Sequence, residues 1–203
     1  MSDSAAQPQK RSSWPLFAIL AITVLPIIAA YVAFFTGVGV PDETVNEGEL
    51  IAPAKNVTTI LADAEGDIPS FKDNLNWRLL IPIPEQCGDV CQRNLYITRQ
   101  VHIRLAEKGE RLERFAVNIG GADGENFLEG IKAEYPGMKR FAVSREVWDE
   151  WLRDSNIPTN LNDDHYYLLV DQVGFAMMFY TTRQDGNQLL KDLKRVLRYS
   201  PGG

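Results

Sequence analysis

The hydropathy of the chain changes abruptly near residue 36. Pro15 to Phe35 (PLFAILAITVLPIIAAYVAFF) runs 21 positions without a charge, and about 20 apolar residues at 1.5 Å rise span the hydrocarbon core of a bilayer. The run predicts one transmembrane helix over residues 15–35, with membrane lipid as its partner. Trp14 and Tyr31 stand near its ends, where amphipathic rings favour the headgroup layer, and Pro26 predicts a kink that a spanning helix tolerates. Lys10 and Arg11 precede the run, while Asp42, Glu43, Glu47 and Glu49 follow it. The positive-inside rule then puts residues 1–14 in the cytoplasm and the body of the protein outside. A cleaved signal peptide has an apolar region of about 7–15 residues ending at a small-residue site. The longer run here, with no such site, predicts an uncleaved anchor.

After the anchor, residues 36–55 mix glycine, proline and acidic side chains and read as a linker, with at most a short strand over 49–52. From residue 56 the pattern is regular to the end of the chain, giving one exported domain over 56–203. Apolar runs and alternation predict strands at about 57–61, 77–83, 113–119, 140–143, 166–171 and 175–180. Helical spacing predicts helices at about 90–108, 125–134, 144–154 and 185–198, with Ser144 as an N-cap and Val147 and Trp151, four apart, on one face. Strands alternating with helices predict an α/β sandwich, and a closing β-hairpin followed by a helix is the order of a thioredoxin-like fold. The fold class expected is α/β: a single N-terminal transmembrane helix followed by a thioredoxin-like α/β sandwich.

The 203 residues, 45% hydrophobic and 24% charged, suit one domain and an anchor rather than two full domains. The net charge of −6 leaves no basic footprint for a phosphate backbone, so nucleic acid is excluded as a partner. Outside residues 1–40, which hold Lys10, Arg11 and Asp3, there remain 19 basic and 26 acidic side chains, a net of −7 on the exported part. Gly120 to Gly124 (GGADG) lacks the lysine and spacing of a phosphate loop and reads as a turn.

The chemistry concentrates in few residues. The chain has two cysteines, Cys87 and Cys91, in the order C-x3-C, just past the apolar strand and at the first turn of the next helix. Free N–H groups and the helix dipole at that position stabilise a thiolate. Such a pair closes a disulfide or shares a metal. A ring that short contributes little loop entropy, so stapling is a weak reason for it. There are two histidines, His102 and His165. His102 falls eleven residues into the helix begun at Cys91, more than about 15 Å away. His165 precedes the strand of the terminal hairpin, and in a thioredoxin-like fold the loop entering that strand faces the redox helix end. Two thiolates and an imidazole suit Cu(I) and also hold Cu(II).

With these residues the chain resembles the Sco family, membrane-anchored copper proteins of cytochrome c oxidase assembly. The family's C-P-D-V-C-P motif is matched by Cys87-Gly88-Asp89-Val90-Cys91-Gln92, and its Asp-His segment resembles Asp164 to Gly174. The resemblance implies that Cys87, Cys91 and His165 are copper ligands, that Cys87 and Cys91 form a redox pair, and that Asp89 and Asp164 flank the ligand set. It implies copper as cofactor and cytochrome c oxidase subunits or other assembly factors as partners. It also implies a single-pass protein of a bacterial inner membrane, the domain in the periplasm. Gly88 and Gln92 replace both prolines of the family motif, which leaves two alternatives beside copper delivery. One is a metal-free thiol–disulfide oxidoreductase, the other an assembly scaffold with a structural disulfide.

Overall fold

The computed structural model describes residues 14–36, 45–61, 71, 74–161 and 164–200. The chain divides into two compact units, Met1–Thr44 and Val45–Gly203. In the first, helix α1 (Trp14–Thr36) is 23 residues long and contains Pro26, giving a length of roughly 34 Å at 1.5 Å per residue. Its segment Phe17–Thr36, with mean hydropathy 2.5, is long and apolar enough to cross a membrane. The hydroxyl of Thr23 donates back to the carbonyls of Ile19 and Leu20 (3.0 Å each), so this polar group is satisfied within the helix.

The second unit is built on a six-stranded sheet in the order β1-β6-β5-β2-β3-β4. The strands are β1 (Glu49–Asn56), β2 (Trp77–Ile83), β3 (Leu112–Asn118), β4 (Met138–Ala142), β5 (Tyr167–Val170) and β6 (Phe175–Tyr180). β2, β3 and β4 run parallel, while β5, β6 and β1 pair antiparallel. The helices are α2 (Asp89–Arg104), α3 (Gly121–Gly130), α4 (Arg145–Leu152) and α5 (Gly186–Tyr199). Alternation along β2 sends Leu80 to one face and Leu79, Ile81 and Ile83 to the other, each buried. Leu80, Phe115 and Leu168 meet Trp148, Trp151 and Leu152 of α4. On the opposite face, Leu79, Ile81, Tyr167 and Leu169 meet Cys91 and Leu95 of α2 and Leu189 and Leu193 of α5. The α/β sandwich is present, and from β2 onward the strands and helices follow the predicted order.

Four expectations change. The short strand allowed over 49–52 at the end of the linker is β1, eight residues long and running on to Asn56, an edge strand paired with β6 from Glu49↔Phe179 to Asn56↔Phe175. An edge strand alternates weakly because neither face is fully covered, and it tolerates Pro53. The strand expected over 57–61 is instead a 3-10 turn, Val57–Thr59. Its cap is the Asn56 side chain, which accepts from the Thr58 N–H at 2.9 Å, the local competition typical of asparagine. α3 begins at Gly121, four residues early, so the glycine run opens a helix. Gly120 is required there because a Cβ would lie 2.3 Å from the Glu85 nitrogen, which brings this loop against the segment entering the cysteines. On α4 the Ser144 cap holds, its hydroxyl accepting from Val147 N–H. The buried face, however, is Trp148, Trp151 and Leu152, and Val147 is exposed.

Candidate functional site

The site forms where β2, the central strand, runs out. Past Ile83 the chain crosses Pro84 to Gln86, reaches Cys87, and enters α2 with Gly88 as N-cap. Gly88 N–H donates to Gln86 O (3.1 Å), and the first α2 bond runs from Gln92 N–H to Gly88 O (3.0 Å). The Gln92 side-chain amide returns to Cys87 O at 3.0 Å, tying Cys87 to the helix where the family motif has a proline. Cys87 and Cys91 are joined by a disulfide with Cα atoms 5.2 Å apart. Both are largely buried, at 9% and 3% exposure. Cys91, third residue of α2, sits among the N–H groups left unpaired in a helix's first turn.

An open cleft of about 540 Å³ reaches Cys91, bordered by Glu85, Gln86, Asp89, Arg145 and His165. Asp89, exposed at the first position of α2, sets a carboxylate at the positive end of the helix dipole. Asp164 lies half-buried one residue before His165, its N–H donating to Asn160 O at 3.2 Å. His102 is far along α2, where Nε2 donates to Gly109 O at 2.9 Å, and takes no part in the site, as its spacing predicts.

The imidazole of His165 is placed at the cleft, but in an unexpected state. It is 1% exposed. Nε2 lies 2.9 Å from Pro82 O, and Nδ1 lies 2.9 Å from the side-chain nitrogen of Asn94. A carbonyl only accepts and an amide NH2 only donates, so the proton is on Nε2 and the Nδ1 lone pair is used. β2–β5 pairing ends at Leu80↔Leu168, and the ring supplies the donor that Pro82 O needs once no strand lies opposite. Burial pushes the imidazole pKa down to about 4, with the Pro82 carbonyl opposing.

Of the ligand set implied for copper, Cys91 and His165 border one cleft and Cys87 is joined to Cys91 by the disulfide; their donor atoms are already engaged, the sulfurs with each other and both ring nitrogens in hydrogen bonds. Among the described residues no group of three His, Cys, Asp or Glu side chains is arranged to hold a metal ion. In this oxidised arrangement the residues do not fit copper. Asn94 and Arg145 are among the residues of the site that were not anticipated. Asn94, three positions after Cys91, is a buried polar residue whose only signal in the sequence is its helical spacing. Arg145 enters from the start of α4, its Nε donating to both carboxylate oxygens of Asp149 at 3.0 Å.

Solved structures with the same fold include BsSco, a member of the Sco family of cytochrome c oxidase assembly proteins in which a disulfide switch was identified. The match has 12% identity, covers 78% of this chain and all of that one, and has TM-score 0.55. Sco1 of Thermus thermophilus in its apo form is similar at 16% identity, over 77% of this chain and 99% of that one, with TM-score 0.54. Yeast Sco1 with copper bound is similar at 14% identity, over 78% and 98%, with TM-score 0.52. At these identities the likeness establishes the fold, thioredoxin-like and shared with Sco proteins. No curated protein matches the chain in sequence. A family model described as the C-terminal domain of transmembrane-like, thioredoxin-like proteins matches residues 77–200, more than half of the chain and all of the site. The chain belongs to this transmembrane-like, thioredoxin-like family.

Proposed function

We propose that this protein is a membrane-anchored, Sco-like thiol–disulfide protein of cytochrome c oxidase assembly, whose reduced Cys87–Cys91 pair keeps the oxidase copper-site cysteines reduced. The observation that carries the reading is the disulfide at the first turn of α2, bordering an open cleft. One thiolate of the reduced pair attacks a partner disulfide, forming a mixed disulfide and releasing one partner thiolate. The second thiolate then displaces the other partner sulfur. Cys87 and Cys91 lose two electrons and two protons, and the partner gains both as a dithiol. A thiol reductant of the same compartment returns the pair to its starting state. The unpaired N–H groups and dipole of α2 favour the thiolate in each step.

In this reading residues 15–35 anchor the chain, residues 1–14 lie in the cytoplasm and the domain works in the periplasm, where thiol pairs turn over oxidatively. A reporter fused after Gly203 is expected to be active in the exported compartment only. Chemistry is tested by mixing the reduced full-length chain, in detergent, with an oxidase copper-site peptide carrying its cysteines as a disulfide. Alkylation should then count two thiols gained by the peptide and two lost by the chain. A bridge that resists mild dithiols until the domain unfolds overturns the reading in favour of a structural disulfide.

A second reading is favoured by the meeting of Cys91 and His165 at one cleft. Here copper is cargo of the reduced pair, and the imidazole joins the thiolates after giving up one of its two hydrogen bonds. His165→Ala then weakens Cu(I) retention moderately, because two thiolates still suffice for linear Cu(I), and abolishes Cu(II) binding, which favours nitrogen donors. Unchanged Cu(II) absorption in His165→Ala removes this reading.

A further inference from the structure

Asn94 stands one helical step from Cys91 on α2 and is 2% exposed. Residues three apart share a helix face, so Cys91 and Asn94 both turn toward the segment that carries His165. The Asn94 side-chain nitrogen makes two bonds to that one residue, 2.9 Å to ring Nδ1 and 3.0 Å to the backbone oxygen. Both amide protons are thereby used, and ring and backbone are held together. On the far side of the ring, Nε2–H is committed to Pro82 O at 2.9 Å.

The residue type matters. Pro82 O requires a proton on Nε2, so whatever faces Nδ1 must donate to a lone pair. An asparagine does so while neutral. A carboxylate at position 94 accepts only, and would demand a second proton on the ring. We propose that Asn94 is a positioning residue that locks His165 in the Nε2–H form with its Nδ1 lone pair occupied, reserving the imidazole from metal and leaving the chemistry of the cleft to the Cys87–Cys91 pair. This rests on the reading of Cys87 and Cys91 as a dithiol–disulfide pair, and it assigns to Asn94 the choice between sulfur redox chemistry and three-ligand copper binding.

The test uses the full-length chain in detergent with ¹⁵N-histidine; two histidines give two sets of ring signals. The oxidised wild type should show His165 as a single Nε2–H tautomer with a hydrogen-bonded Nδ1. In Asn94→Ala, and in Asn94→Leu, which is similar in size and cannot donate, the Nδ1 resonance should move to that of an acceptor without a donor. With the reduced chain, competition against a chromophoric Cu(I) chelator should give about tenfold tighter binding in either variant than in wild type. That is the scale of one hydrogen bond no longer broken on coordination, and the gain should vanish when His165→Ala is added. A wild-type proton on Nδ1, an unmoved Nδ1 resonance, or Cu(I) affinity equal to or below wild type each overturns the proposal. Failure of the redox reading shows separately, as a pair that dithiols do not reduce in alkylation of the same samples, and the ring spectrum of the oxidised chain still decides the role of Asn94.

Discussion

The two sides of the cleft are built from opposite materials. The sulfur side sits on the first turn of α2, behind an exposed Gly88 around which a Cβ would meet nothing within 4 Å. Its bonds are those of a helix start, Gln92 reaching back to Gly88 and Cys87 at 3.0 Å each. The imidazole side is a fully buried ring pinned by Pro82 and Asn94, followed by Tyr166 and Tyr167, both inaccessible. Tyr166 accepts at its hydroxyl from the Trp148 indole N–H (3.1 Å), and burial raises its phenol pKa. Having the residue types of a metal site within one cleft is thus different from having their donor atoms free. On one side the structure leaves room for exchange; on the other it treats the histidine as a bolt between β2 and α2.

Four measurements sharpen or break that contrast. The largest effect belongs to the sulfurs. Cys87→Ser or Cys91→Ser in the full-length chain should reduce exchange with a small-molecule disulfide to a single unresolved step, with catalytic turnover at background, because no resolving thiol remains. Turnover retained in either variant would place the chemistry elsewhere.

Next comes acid sensitivity of the imidazole side. His165 titrates at about 4 when folded and near 6.5 when unfolded. Between these values the unfolded chain binds more protons, so this contribution to stability is complete above about pH 6.5 and is lost as pH falls toward 4. The loss is on the order of 3 kcal/mol by linkage. Denaturant unfolding at a series of pH values should show it, and His165→Gln should flatten it. An unchanged slope in that variant would mean that the ring is not the buried bolt described.

Tyr166→Phe follows. It leaves the buried Trp148 indole N–H without its partner and should cost about 1–3 kcal/mol, read as a shift in the unfolding midpoint, with thiol reactivity unchanged. A large change in reactivity would join the two sides that the contrast separates. The smallest effect is expected for Gly88→Ser. The backbone there, at φ −71° and ψ −170°, suits an N-cap with a side chain. The hydroxyl offers an acceptor to first-turn N–H groups, and the chain loses unfolded-state freedom. A gain of about 0.5–1 kcal/mol should appear as a raised midpoint; a loss would show that the N-cap position needs glycine.

Much of the fold was legible because its signals are local. The charge-free run, the apolar strand WRLLIPI, the hairpin around Gly174 and the amphipathic α5, opened by the Asp185 capping box, each carry their own pattern. β1 was legible only as a short strand over 49–52: it is an edge strand, and only β6 beside it carries it on to Asn56. Val147 misled for a related reason, since spacing predicts that a helix has an apolar face but not which of its apolar residues the sheet covers. In the site, C-x3-C at a strand-to-helix junction and a histidine before the closing hairpin were both readable, whereas Arg145, arriving from another helix, was not.

By itself the sequence determined which candidate groups the chain offers and roughly where each lies along it: an apolar run long enough to span a membrane, two thiols four apart, one histidine near the hairpin. What the histidine can do was decided by tertiary structure alone. Its availability depends on Pro82 and Asn94, 83 and 71 residues away in the chain, and no local pattern records such partners. Desolvation and hydrogen bonding to distant backbone and amide groups set whether a lone pair is free, and those terms exist only once strand, helix and loop have closed around the ring.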